Sequence, residues 1–272
     1  MGTINQIKKF FKLLENHHLK EYAIQCAYYV ILSFIPFIIL LFSLIQFTNI
    51  KTNLVFFIAE NLIPGNIYDF VEGIMKEASF KSIGTLSLSG IILIWSAGQG
   101  FFALCKGFHY IYETPQEYNY LYLKLKSIIC ILFFIVLIVG VLLLIAFGEN
   151  IIDLAKTCRV SFINFILTWR IIWQWLILFL VFWLMYKYVP NHKVKLVTQI
   201  PGAIFSAISW YSLSFLFSIY LTIFKNFSII YGSLTSIILL MIWVYWCMYA
   251  ILVGAEINVW IDERNKKKKR DT

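Results

Sequence analysis

The chain has 272 residues, 61% of them apolar, 18% aromatic and only 14% charged, with a formal net charge of +9. Its mean hydropathy is +0.79. Soluble domains are roughly 45–50% apolar and about 25% charged, so this composition excludes a disordered chain, a coiled coil and an ordinary cytosolic enzyme.

The chain reads as an all-α, polytopic integral membrane protein. In residues 1–21, Ile4, Ile7, Phe10, Phe11 and Leu14 fall at helical spacing opposite Lys8, Lys9, Lys12 and Glu15. That pattern predicts a basic amphipathic helix lying on the inner leaflet. A crossing helix needs about 20 apolar residues, and six stretches qualify: 22–48, 83–104, 125–147, 171–189, 199–224 and 232–257. The first is too long for the apolar core of a signal peptide and no small-residue cleavage site follows it, so it is expected to remain in the mature protein. None of the six carries Lys, Arg or Asp in its middle. After the first span, Leu54, Phe57 and Ile58 make a short apolar stripe. Beyond Pro64-Gly65, Asn66 is expected to cap an external helix with Ile67, Phe70, Val71, Ile74 and Met75 on one face and Asp69 and Glu72 near its start. Membrane-surface packing is the preferred role for both amphipathic segments, ahead of a gate or lid. Segment 161–169 is apolar too, which leaves the boundary between the third and fourth spans the loosest. The resulting division is a basic segment 1–21, a six-helix membrane domain 22–261 and a polybasic tail 262–272.

Orientation follows from the basic residues. With the N-terminus inside, the inner segments hold 16 Lys and Arg and the outer ones 7, the bias that retains both termini in the cytoplasm. Lys8, Lys9 and Lys12, together with Lys266, Lys267, Lys268, Lys269 and Arg270, are expected to contact anionic lipid headgroups of the bilayer. No aromatic interleaving or nucleic-acid module accompanies them, so no nucleic-acid partner is expected.

Signatures of catalysis are sparse. The five cysteines include Cys26, Cys105, Cys130 and Cys247 in or beside apolar stretches and Cys158 in a loop, with no C-x-x-C; they read as packing residues. His17, His18, His109 and His192 lack ligand spacing and read as interfacial, so neither metal nor cofactor is expected. The run Gly98-Gln99-Gly100-Phe101-Phe102-Ala103 matches G-x-G-x-x-A, but inside a spanning helix no backbone amides are free to cradle a phosphate. Ser96, Gly100, Ala103 and Gly107 instead repeat small-xxx-small spacing for close helix approach. Asn226-Phe227-Ser228 is a glycosylation sequon that matters only in a eukaryotic secretory pathway.

What remains is a thin polar set within the spans. Ser33 and Pro36 interrupt the first, and Pro36 should free a carbonyl of the preceding turn that Ser33 or a neighbouring helix could satisfy. Gln99 lies in the second span and Gln174 in the fourth. The fifth holds Gly202, Ala203, Ser206, Ala207, Ser209, Ser214 and Ser218, either the wall of a polar cavity or a closely packed central helix. Glu256 is the one acid within a predicted span, a functional candidate by default, although near the cytoplasmic end it could also reach the interface for a structural role. A pathway would run between the first and fifth spans, with Tyr231, Gly232 and Ser233 at its outer mouth and Glu256 and Asn258 at its inner one. The same residues, with Gln99, Ser206 and Ser209, serve equally as helix-packing groups.

Several runs together resemble the YihY/BrkB family of bacterial membrane proteins. They are Ala27-Tyr28-Tyr29 with Ser33-Phe34-Ile35-Pro36, Trp95-Ser96-Ala97, Phe108-His109-Tyr110-Ile111-Tyr112, Tyr188-Val189-Pro190-Asn191, Pro201-Gly202-Ala203, Tyr231-Gly232-Ser233 and Gly254-Ala255-Glu256-Ile257-Asn258. Where the family carries an arginine-rich stretch after the second span, this chain has Lys106 with histidine and tyrosine, so no role resting on an arginine there is carried over. The resemblance implies a six-helix protein of the bacterial inner membrane. It also brings virulence-factor and ribonuclease labels. A nuclease needs metal-binding carboxylates or a histidine pair, and with no such cluster the ribonuclease label reads as a misassignment. The leading expectation is a transporter or envelope-lipid export factor of unknown substrate, and the alternative a non-transporting structural or interaction protein of the envelope. No internal inverted repeat supports a secondary-transporter architecture, and an oligomer is compatible with either reading.

Overall fold

The computed structural model describes residues 3–46, 56, 65–77, 83–113, 124–129, 170–190, 195–223 and 233–270. Its main helices are α1 (Thr3–Asn16), α2 (Leu19–Gln46), α3 (Gly65–Glu77), α4 (Ile83–Ile111), α5 (Arg170–Tyr188), α6 (Ile200–Ile223) and α7 (Ser233–Arg270), with a 3₁₀ turn over Leu196–Gln199 leading into α6. No strand occurs among the described residues. Four stretches are long and apolar enough to cross a bilayer: Leu19–Ser43, Ser87–Ile111, Leu196–Leu221 and Ile237–Lys266. They coincide with the first, second, fifth and sixth predicted spans. The fourth falls on α5, whose apolar stretch Trp175–Tyr188 is shorter. The third lies outside the described residues from position 130 onward, as do the Leu54, Phe57 and Ile58 positions of the short external stripe.

Two joints bend the chain through left-handed backbone. His18 has φ 53° and Glu113 φ 45°, a conformation that costs a non-glycine residue roughly 1–2 kcal/mol and ends a helix by turning its last carbonyls back. His17 N–H donates to Leu13 O and His18 N–H to Glu15 O, so α1 closes just before α2 begins. At the end of α5, the Lys126 ammonium donates to the carbonyls of Tyr188 (2.9 Å) and Val189 (3.1 Å), placing a cation at a helix C-terminus where unpaired carbonyls favour it.

The main core gathers Leu14 of α1, Leu19, Ala23 and Cys26 of α2, Leu104 and Phe108 of α4, Tyr186 of α5, Ala203 and Ala207 of α6, and Ile251, Leu252 and Ala255 of α7. A second, smaller cluster forms at the far end of α2 and α6, where Phe42 and Leu221 meet Val71 and Met75 of α3. The polar cluster described below and the α3 helix therefore sit at opposite ends of the bundle. The helix of α3 begins at Gly65, so Asn66 lies in its first turn rather than preceding it as a cap.

Small residues set the packing between α2 and α4. The Cys26 thiol donates to the Gly100 carbonyl at 3.4 Å, and a methyl at Gly100 would sit 3.2 Å from Tyr29 Cβ. Isoleucine, leucine and aromatic side chains on the outward faces of α2, α4, α5, α6 and α7 are exposed, among them Ile35, Ile91, Ile177, Phe215 and Ile242. A water-soluble protein rarely exposes so much apolar surface, whereas lipid accepts it as long as backbone groups are paired within the helices.

Candidate functional site

The polar side chains that matter converge where α6 crosses α7. A Cβ on Gly202 would collide with the Gly254 carbonyl and with Asn258, and one on Gly254 with the Ser206 and Tyr186 hydroxyls and the Gly202 carbonyl. Two bare backbones thus face each other, which only glycine permits. Gly202 lies in the first turn of α6, where backbone N–H groups lack intrahelical partners. Its N–H donates to Asn258 Oδ1 at 2.7 Å, so α7 caps α6 from outside.

Around this contact stand groups from four further segments. The Tyr186 hydroxyl of α5 donates to the Ile251 carbonyl at 2.7 Å and lies 2.5 Å from Ser206 Oγ. A phenol has one proton; with it given to Ile251, the Tyr186 oxygen can accept from Ser206, whose hydroxyl also has the Ala250 carbonyl as an acceptor at 3.3 Å. Tyr112, just past α4, donates to Gln199 Oε1 at 2.6 Å, and Gln199 Nε2 donates to Thr198 Oγ1 at 2.9 Å. Asn258 is fully buried, its Oδ1 is committed to Gly202, and its Nδ2 makes no hydrogen bond to a described residue. The Glu256 carboxylate, 1% exposed, meets His17 Nδ1 at 2.8 Å from the joint between α1 and α2. That hydrogen bond raises the His17 pKa against the opposing effect of burial, with Glu113 and Glu263 adding smaller attractions.

Several sequence expectations change here. Glu256 does not reach the interface: it is enclosed, and its partner is a histidine read as merely interfacial. Ser206 and Asn258 join the cluster, while Ser209 is half-buried one turn along α6. Ser33 is buried but lies about four helical turns along α2 from His17, and its hydroxyl donates to Val30 O at 2.8 Å. The carbonyl freed by Pro36 belongs to Leu32, so Ser33 does not serve it, and α2 runs unbroken through Pro36. Gln99 is half-buried in α4. Tyr231 and Gly232 lie outside the described residues, as do the side chains of Ser233 and Gln174. Lys8, Lys9, Lys12 and Lys266 are exposed, and Lys266 pairs with Asp262 at 2.8 Å. Tyr186 and Gln199 carried no sequence signal, whereas Gly202 and Ser206 stood in the small and hydroxyl set of the fifth span and Gly254 and Asn258 in one of the runs that resemble the family.

No group of three or more histidine, cysteine or acidic side chains able to hold a metal occurs among the described residues. An apolar groove of about 320 Å³ lies between α5 and α6, lined by Ile177, Leu178, Val181, Trp210, Tyr211 and Ser214.

The Tyr186 hydroxyl ties α5, α6 and α7 together, so Tyr186→Phe takes a donor from the Ile251 carbonyl and leaves Ser206 its longer bond to the Ala250 carbonyl at 3.3 Å. The expected cost is about 1–3 kcal/mol, seen as a fall of several degrees in the thermal midpoint in detergent. An unchanged midpoint would show that the Ile251 carbonyl finds another donor.

The comparisons with known proteins agree across almost the whole chain. The virulence factor BrkB family matches residues 10–272. The chain is 32% identical over 265 residues to the ribonuclease-like protein YfkH of Bacillus subtilis, covering 96% of each. UPF0761 membrane proteins of Cronobacter sakazakii (24% identical, 96% of this chain and 89% of the relative) and Vibrio campbellii (26%, 97% and 84%) are similar over comparable lengths. No solved structure matches significantly. With a family match and a full-length relative above 30% identity, and with apolar helices long enough to cross a bilayer, the chain belongs to the BrkB/YihY family of membrane proteins.

Proposed function

We propose that this protein is a non-enzymatic transporter or envelope-lipid export factor of the bacterial cytoplasmic membrane, with six spans and both termini in the cytoplasm. The observation that carries the reading is the buried Glu256–His17 pair beside the Asn258 amide. Ionisable and polar groups enclosed in an apolar bundle are costly to keep there, and membrane proteins retain them chiefly along substrate or ion pathways. Lipid is favoured over a hydrophilic solute because the groove between α5 and α6 offers apolar walls with Ser214 and Tyr211 as its polar edges. The ribonuclease-like name of the Bacillus relative is not carried over, because phosphodiester cleavage needs carboxylates or histidines grouped around a phosphate. Here the buried carboxylate is already held by His17.

A second reading has its own support. The Gly202–Gly254 contact and the Tyr186 bonds are what a rigid scaffold would use to lock three helices, which suits a non-transporting envelope protein. Lipid and metabolite profiling of cells lacking the protein, paired with reconstitution in liposomes, separates the two. The transport reading expects one lipid or metabolite class to accumulate on the inner side and to move across the liposome membrane only when the protein is present. Deletion cells with an unchanged profile and inert liposomes would support the scaffold.

A further inference from the structure

The joint between α1 and α2 covers a buried carboxylate. Asn16 ends α1 and Leu19 begins α2, so His17 and the left-handed His18 are the whole connection. From that connection His17 Nδ1 reaches Glu256 Oε2 at 2.8 Å, with 16% of the histidine side chain and 2% of the glutamate side chain exposed. Among the described side chains, two apolar residues also hold α1. Leu14 is buried in the main core with Phe10 packed against it, and the Phe10 ring meets the edge of Trp260 at 5.7 Å, a ring that also carries the Arg264 guanidinium at 4.7 Å. A 14-residue helix is marginal alone in water, so these contacts with α7 bear on where it docks.

We propose that His17 and Glu256 form a proton-operated latch: α1 lies closed against α7 while His17 carries its proton, and swings away when the proton is lost. The groups facing His17 are acidic on both sides, Glu256 and Glu263 from α7 and Glu113 from the end of α4. Protonated, the imidazolium neutralises a carboxylate enclosed by the fold. Deprotonated, it leaves that carboxylate with a neutral donor only, and a desolvated charge is poorly tolerated without a countercharge. Releasing α1 then hydrates Glu256 and opens the Asn258 end of the polar cluster to the adjacent aqueous phase. The ligand of this site is a proton, and the latch stands whether or not the protein transports anything.

The sign follows from the raised histidine. A group held protonated by its folded environment stabilises the closed form fully below its ordinary value of 6.5, and that contribution disappears as pH rises through the raised one. Mild acid closes the latch and alkali releases it.

Spin labels at the exposed positions 9 and 266, on full-length protein with its native cysteines replaced and held in lipid nanodiscs, read the α1–α7 distance directly. The short-distance population should dominate at pH 6 and fall at least three-fold by pH 9. His17→Asn should be open at both values, and Glu256→Gln should lose the response. His17→Lys, cationic throughout this range, should stay closed at both. A distance distribution that does not change with pH in the unsubstituted protein overturns the latch. So does a His17→Lys protein that opens with pH as the parent does, a test that stands even where His17→Asn fails to fold.

Discussion

Gly202→Ala is expected to prevent this protein from reaching its folded state in usable amounts, and Gly254→Ala to come close behind. An added methyl at 202 would collide with the Gly254 carbonyl and the Asn258 amide, and one at 254 with the Tyr186 and Ser206 hydroxyls and the Gly202 carbonyl. Backbone cannot swing aside as a flexible side chain can, so the helices would have to separate. Overpacking typically costs about 1–3 kcal/mol and sometimes more. Separation would also break the Gly202–Asn258 and Tyr186 hydrogen bonds, each worth about 1 kcal/mol net and more when buried partners are orphaned. The sum is comparable with the whole stability of an ordinary domain, about 5–15 kcal/mol. Size-exclusion profiles of tagged protein in detergent should show Gly202→Ala aggregated or absent. Gly73→Ala is the control: a methyl there meets nothing within 4 Å, and alanine favours a helix by about 1 kcal/mol. A monodisperse Gly202→Ala protein with the parent midpoint would refute the close crossing of α6 and α7.

The second large effect belongs to the buried ion pair. Glu256→Ala should destabilise more than Glu256→Gln, because glutamine keeps shape and a hydrogen-bonding end while alanine leaves a void beside His17. Cross-helix hydrogen bonds in membranes contribute only about 0.6–2 kcal/mol, whereas those to a charged partner reach about 1.5–3. The pair should therefore show a coupling of about 1–3 kcal/mol between Glu256→Gln and His17→Asn in a double-mutant cycle. That coupling should be largest below pH 6.5, where His17 is charged in every state, and shrink as pH rises through the raised value of the folded form. Thermal midpoints of the four proteins at pH 6 and pH 9 give the comparison. Additive effects at pH 6 would mean that the 2.8 Å contact contributes nothing to stability.

How much of this was readable in the sequence differs sharply between fold and site. Class and span positions were legible because lipid demands a local property: about 20 consecutive apolar residues, visible without knowing any neighbour. The runs 22–48, 83–104, 199–224 and 232–257 satisfy it and fall on crossing-length helices. The small-residue spacing of Ser96 and Gly100 likewise announced close approach without naming the partner helix, while the small and hydroxyl residues of 199–224 left close packing and a polar cavity both open. Glu256 stood out because one acid in an apolar run is conspicuous. Its partner did not, since His17 is 239 residues away, next to a second histidine, in a segment whose charge pattern suggested nothing beyond an interface. Tyr186 was one tyrosine among 16. Whether a phenol faces lipid or ties three helices together depends on helix rotation, which the almost wholly apolar run from Trp175 to Tyr186 does not encode. The tertiary structure decided those pairings because a buried polar group is satisfied by whatever the fold brings within hydrogen-bond reach. That reach of about 3 Å is set by how helices distant in sequence cross, not by spacing along any one of them.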